Sequence, residues 1–79
     1  MRRARAELVF SYRDEKEAEL VAQLLEMDNR AAPRGIKVTT RRLGKEVLTV
    51  AEHSSAGTLF ATVDDILFCE KIIDEVMRL

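Results

Sequence analysis

Side chains able to do chemistry are few in this chain, and they are scattered. Asp64 and Asp65 could serve as a metal pair or as a general acid and base. Adjacent helical positions diverge by about 100°, so two neighbouring carboxylates do not converge on one point. No third ligand stands close by. Asp64 is therefore expected to be solvated, and Asp65 to meet a partner or cap a loop. His53 beside Ser54 and Ser55 has the composition of a nucleophile with its base. Neighbours in sequence rarely acquire that geometry, and no activating group accompanies them. A helix cap explains the serines better. Cys69 lies in an apolar helical segment without a nearby cation, which suits packing rather than a reactive thiol.

Neither Gly-x-Gly-x-x-Gly nor the phosphate loop ending in Lys-Ser/Thr occurs. One cysteine and one histidine cannot build a disulfide or a zinc site. The expectation is a chain with no catalysis, cofactor or metal of its own.

What holds these residues in place must be small. The 79 residues make one domain, which buries only about 60–65% of the surface its unfolded chain exposes. Folds of this size usually need disulfides, metals or oligomerisation. With the first two absent, oligomerisation is what remains. Thirteen basic and fourteen acidic residues nearly cancel, so no global positive field advertises nucleic acid. A lone cysteine suits a reducing cytoplasm. The basic start Met1-Arg2-Arg3-Ala4-Arg5 lacks the apolar run of a signal peptide, and no stretch is long enough to span a membrane.

Local patterning gives five elements. Leu8, Phe10 and Tyr12 alternate with Glu7, Val9 and Ser11, which predicts a strand over 7–12. Asp14 with Glu17 three residues on resembles a capping box, opening a helix that runs to about Met27. The turn formers of Asp28–Gly35 make a loop. Ile36, Val38 and Thr40 alternate with Lys37, Thr39 and Arg41, giving a second strand. Leu43-Gly44-Lys45 is its turn, and Glu46–Glu52 the returning strand of an antiparallel hairpin. Ser54 or Ser55 caps a last helix over about Gly57–Arg78. The order β-α-β-β-α predicts an α+β domain covering 1–79, with two helices on one face of a three-stranded antiparallel sheet.

Both helices are more apolar than that sheet requires. A surface helix needs an apolar stripe a little over ~100° wide. The first helix is apolar over roughly 220° when its residues are placed at helical steps. Ala18, Val21, Ala22 and Leu25 form one side of that arc, and Leu20, Leu24 and Met27 the other. In the last helix, Leu59, Val63, Ile66, Ile73 and Met77 form one stripe; Phe68, Cys69, Ile72, Val76 and Leu79 form a second. One stripe of each can face the sheet. The second stripes either pack on each other or face a partner, and exposed apolar patches usually mark interaction sites. Leu20, Leu24, Met27, Phe68, Ile72 and Val76 are therefore the candidate partner-binding residues. The open edges of the sheet offer another route, since pairing across a two-fold axis would give a six-stranded sheet. The pattern does not say which strand would pair.

The hairpin is the remaining signal. Lys37, Thr39 and Arg41 share a strand face, with Arg42 and Lys45 at the turn. Opposite the helices they would make a positive strip able to touch phosphates, or simply a solvated sheet face. Lys37, Arg41 and Arg42 are the candidate RNA-binding residues. The hairpin has no aromatic residues for base stacking, so any contact is expected to be with the backbone. A free-standing RNA-binding module is the alternative to an assembly subunit.

Several segments together carry a family resemblance: Leu24-Leu25-Glu26-Met27-Asp28-Asn29, then Pro33-Arg34-Gly35-Ile36-Lys37-Val38 before a Gly-turn hairpin, and Gly57-Thr58-Leu59-Phe60-Ala61-Thr62-Val63-Asp64-Asp65-Ile66-Leu67. In order and spacing they resemble the Pcc family (CTAG/Pcc) of small dimerisation subunits of the KEOPS complex. Glu26-Met27 stands where the family often has proline before Asp-Asn, and Phe60 and Phe68 are unusually bulky. The resemblance implies a non-catalytic subunit that dimerises through its sheet, with itself or with a paralogue. It also implies helices that pack on the threonylcarbamoyl-transferase subunit of a complex making threonylcarbamoyladenosine in tRNA, with tRNA as a further candidate partner.

Overall fold

The computed structural model describes residues 3–30 and 35–79. Arg2 of the basic start and the Ala31-Ala32-Pro33-Arg34 part of the first loop lie outside the described residues. The element order is β1 (Ala4–Ser11), α1 (Glu15–Asn29), β2 (Lys37–Leu43), β3 (Glu46–His53) and α2 (Ala56–Met77). The strands form one sheet in the order β1-β3-β2, with both outer strands antiparallel to β3. β1 and β2 thus run parallel to each other, and α1 carries the chain between them. α1 lies over β2 and β3, and α2 over β3 and β1. The β-α-β-β-α fold expected from the patterning is the one observed.

Boundaries differ from the expected ones for identifiable reasons. β1 begins at Ala4, three residues earlier than the alternation suggested. Ala4 and Ala6 do face inward, but their short side chains give little periodic signal. α1 continues through Asp28 and Asn29, both turn formers, because the Asn29 side chain is anchored: its Nδ2 donates to Thr40 Oγ1 at 2.7 Å. β2 reaches Leu43, leaving a two-residue turn of Gly44 and Lys45. Gly44 takes φ +65 while, among the described residues, no non-glycine residue has positive φ. That combination fits a type II′ turn, whose first central position demands glycine.

The helix starts follow the caps. Asp14 accepts from the Glu17 N–H at 2.8 Å, while Glu17 Oε1 accepts from the Arg13 N–H at 3.2 Å. Ser55 caps α2 by accepting from the Thr58 N–H. The core lies between sheet and helices in two connected parts. Under α1 it consists of Tyr12, Ala18, Val21, Ala22, Leu25 and Val47; under α2 it consists of Ala51, Leu59 and Ile66 with Val63 and the inward residues of β1. Thr49 is the buried polar residue of this layer, and its hydroxyl lies 3.0 Å from that of Thr40. Asn29, Thr40 and Thr49 form one chain of hydrogen bonds beneath the end of α1.

Candidate partner-binding surface

Helical phase divides α1 cleanly. Ala18, Val21, Ala22 and Leu25 are buried, whereas Leu20, Leu24 and Met27 remain exposed, Met27 by 64%. The polar strip of Glu15 and Glu19 turns toward β2, where both glutamates meet Arg42. The exposed apolar row lies farther round the outer surface, between that strip and the flank that meets α2. Two contacts fix that direction: Arg78 Nη1 donates to Glu17 at 2.7 Å, and Cys69, Ile73 and Met77 of α2 pack against the core beneath α1.

On α2 the matching flank carries Phe68, Ile72 and Val76, lying one step outward from the half-buried Cys69 and Ile73. All three are exposed, Phe68 by 66%. The second stripes of both helices are therefore exposed on the outer side of the helical layer. They do not seal each other, as they would if the excess apolar surface were spent on helix-to-helix packing. Exposed apolar helix faces of this kind are suited to receiving apolar side chains of another protein. The six residues singled out by phase are all exposed.

The polar candidates are dispersed. Asp64 and Asp65 are both exposed on α2. Among the described residues no group of three His, Cys, Asp or Glu side chains could hold a metal ion. His53 Nδ1 accepts from the Ser55 N–H at 2.9 Å, so the histidine supports the start of α2. Burial pushes the Cys69 thiol up from its ordinary pKa, and the Asp28 carboxylate adds to that effect. Such a thiol is a poor nucleophile at neutral pH.

The basic hairpin residues do not form one strip. Lys37 and Arg41 project from the sheet face opposite the helices, as expected. Arg42 belongs to β2 rather than to the turn, and it faces the other way. It donates to Glu19 at 2.9 Å and to Glu15 at 3.1 Å. The alternation of a strand requires this, since 41 and 42 must point to opposite faces. The open face is also of mixed charge. β3 places Glu52 in register with both Arg5 and Lys37, and Glu46 and Glu7 share the same face. Arg5 bonds Glu7 at 2.8 Å and Glu52 at 3.4 Å. These neighbours became visible only with the strand order.

Among the described residues no helix is long and apolar enough to cross a membrane. Together these features define a small α+β fold whose two helices cover one face of a three-stranded antiparallel sheet and leave apolar side chains exposed outside. No family model and no curated protein match the sequence. Among solved structures, the chain is similar to a chain in the crystal structure of the binary complex Gon7-Pcc1. The TM-score is 0.84 at 21% identity, over 95% of this chain and 93% of that one. The likeness shows a shared fold over nearly the whole length.

Proposed function

We propose that this chain is a non-catalytic assembly subunit of a cytoplasmic KEOPS-type complex that makes threonylcarbamoyladenosine in tRNA. Its helices seat it on the threonylcarbamoyl-transferase subunit, and its sheet pairs it with a second copy or a paralogue. The observation that carries this reading is the exposure of Leu20, Leu24, Met27, Phe68, Ile72 and Val76 on the outer side of the two helices. Support comes from the fold shared with a chain of a two-protein complex, Gon7-Pcc1, and from the segment resemblance to the Pcc family. Co-expression with the transferase subunit tests it. Phe68→Asp and Ile72→Asp should each abolish co-purification while circular dichroism stays unchanged, because both side chains are exposed. Thr39→Asp, on the opposite face, should leave it intact. Undiminished capture by the two helix variants would overturn the assignment.

A tRNA contact through Lys37 and Arg41 belongs to the same reading. Among the described residues neither cation lies within ion-pair distance of a carboxylate, whereas Arg42 holds Glu15 and Glu19. Removing two phosphate contacts should lower the slope of log affinity against log salt by about 1.4–1.8. Lys37→Ala with Arg41→Ala should show that drop in the assembled complex. A free-standing RNA-binding module would instead bind tRNA as the isolated chain at low salt.

A further inference from the structure

Among the described residues no strand lies on the outer side of β2. Its outward backbone groups can be located from the register. The Tyr12 N–H donates to the Lys45 carbonyl at 2.9 Å, which sets the odd-numbered residues of β3 toward β1 and the even-numbered ones toward β2. Glu46, Leu48, Val50 and Glu52 stand in register with Leu43, Arg41, Thr39 and Lys37, so these four bond to β3. Val38, Thr40 and Arg42 therefore turn their N–H and C=O groups outward. The strand holds neither proline nor glycine to interrupt that edge.

The charge along the edge is of one sign. Lys37, Thr39, Arg41 and Leu43 are exposed on the face opposite the helices, Leu43 by 49%. Glu52 is in register with Lys37, yet Arg3 and Arg5 hold it from the β1 side at 3.8 and 3.4 Å. On the helix face Arg42 already holds Glu15 and Glu19. Lys37 and Arg41 are left, among the described residues, with no carboxylate in ion-pair distance. A second β2 edge would bring only more positive charge, and charged edges of this kind resist pairing with their own copies.

We propose that β2 takes an extended acidic segment of another protein as a fourth strand of the sheet. Strand addition draws affinity from main-chain hydrogen bonds and specificity from alternate side chains. Paired antiparallel, the positions opposite Lys37, Thr39, Arg41 and Leu43 are the non-hydrogen-bonded ones, where side chains approach most closely. The segment that fits has acidic residues opposite Lys37 and Arg41, a β-branched residue opposite Thr39 and an apolar one opposite Leu43. The proposal goes beyond the assembly role above, since it needs neither the transferase nor a second copy. On the tRNA reading the same two cations meet phosphate, so an acidic strand and tRNA would compete for them.

Amide hydrogen exchange by NMR on the full chain tests this, with the synthetic peptide Val-Thr-Glu-Thr-Val-Thr-Glu as probe. With the peptide at about ten times its Kd, the Val38, Thr40 and Arg42 amides should exchange about tenfold more slowly. Lys37, Thr39 and Arg41, already bonded to β3, should change little. Lys37→Glu with Arg41→Glu, at exposed sites, should abolish binding and transfer it to the same peptide with lysine in place of glutamate. A peptide N-methylated at the groups that face β2 should not bind, and this arm leaves the protein untouched. Binding that survives N-methylation, or that leaves the three amides unprotected, would reduce the contact to charge attraction and overturn strand addition. Protection appearing on β1 instead would overturn the choice of edge. No slowing with the peptide at millimolar concentration would overturn the acidic-strand assignment, and tRNA binding under those conditions would leave the tRNA reading standing.

Discussion

Arg78 Nη1 donates to Glu17 Oε2 at 2.7 Å, tying the end of α2 to the first turn of α1. Arg13 donates to the same oxygen at 2.7 Å. One carboxylate thus holds two helix ends together at the rim of the core. The hydrogen bonds from Arg13, then those from Arg78, depress the Glu17 pKa from 4.5 to about 2. A depressed carboxylate contributes stability that is present above its unfolded pKa and is lost as the pH falls through the folded one. Urea midpoints should therefore fall between pH 4.5 and 2. Glu17→Gln should lower the midpoint at pH 7 and flatten that acid slope.

Tyr12 responds at the other end of the scale. Burial comes first and the hydrogen bond to Glu70 second in holding its phenol well above the ordinary 10.0. Its hydroxyl donates to Glu70 at 2.9 Å. Because the folded pKa is raised, stability declines as pH climbs above 10. It is the only tyrosine, so absorbance of the phenolate reads this site alone. The phenolate band should appear with unfolding rather than before it. Tyr12→Phe should cost about 1–2 kcal/mol at pH 7.

Leu24 and Leu25 are neighbours with opposite surroundings. Leu25 is 1% exposed in the core, and Leu24 stands on the outer side of α1 at 37%. Leu25→Ala should cost about 2–5 kcal/mol by the transfer and cavity terms, and Leu24→Ala less than about 1 kcal/mol. Chemical denaturation of both variants, beside partner capture, separates core from surface. Leu25→Ala acts on stability and Leu24→Ala on binding.

The polar chain under α1 gives a double-mutant cycle. Thr49→Val keeps the volume but leaves Thr40 with one fewer partner, which should cost about 1–3 kcal/mol. Adding Thr40→Val removes both hydroxyls. Asn29 can then turn to water, so the double variant should be less destabilised than the sum of the singles.

Gly44 has open space where a side chain would go, but its backbone sits at φ +65. Gly44→Ala should therefore lose about 1 kcal/mol from conformation alone. Gly44→Asn should lose less, since asparagine tolerates that region better.

Much of the fold was written in local periodicity. The four residues on one side of the α1 arc are buried and the three on the other are exposed, because a helix repeats every 3.6 residues whatever it packs on. The caps at Asp14 and Ser55 were legible for the same reason, since each satisfies donors within its own first turn. Alanines at positions 4 and 6 were not legible, because a methyl group barely signals which way it faces until α2 covers it.

What the amino-acid order determined alone was the succession β-α-β-β-α and helices apolar over twice the arc that one sheet can cover. The tertiary structure decided which charges meet. Strand order set Glu52 beside Arg5 and Lys37, turned Arg42 under α1, and left β1 rather than β2 as the edge of mixed charge. Those outcomes depend on which strand lies beside which, a relation between residues up to about fifty positions apart in sequence. No local repeat encodes it, because it is settled by closing the sheet over a shared core.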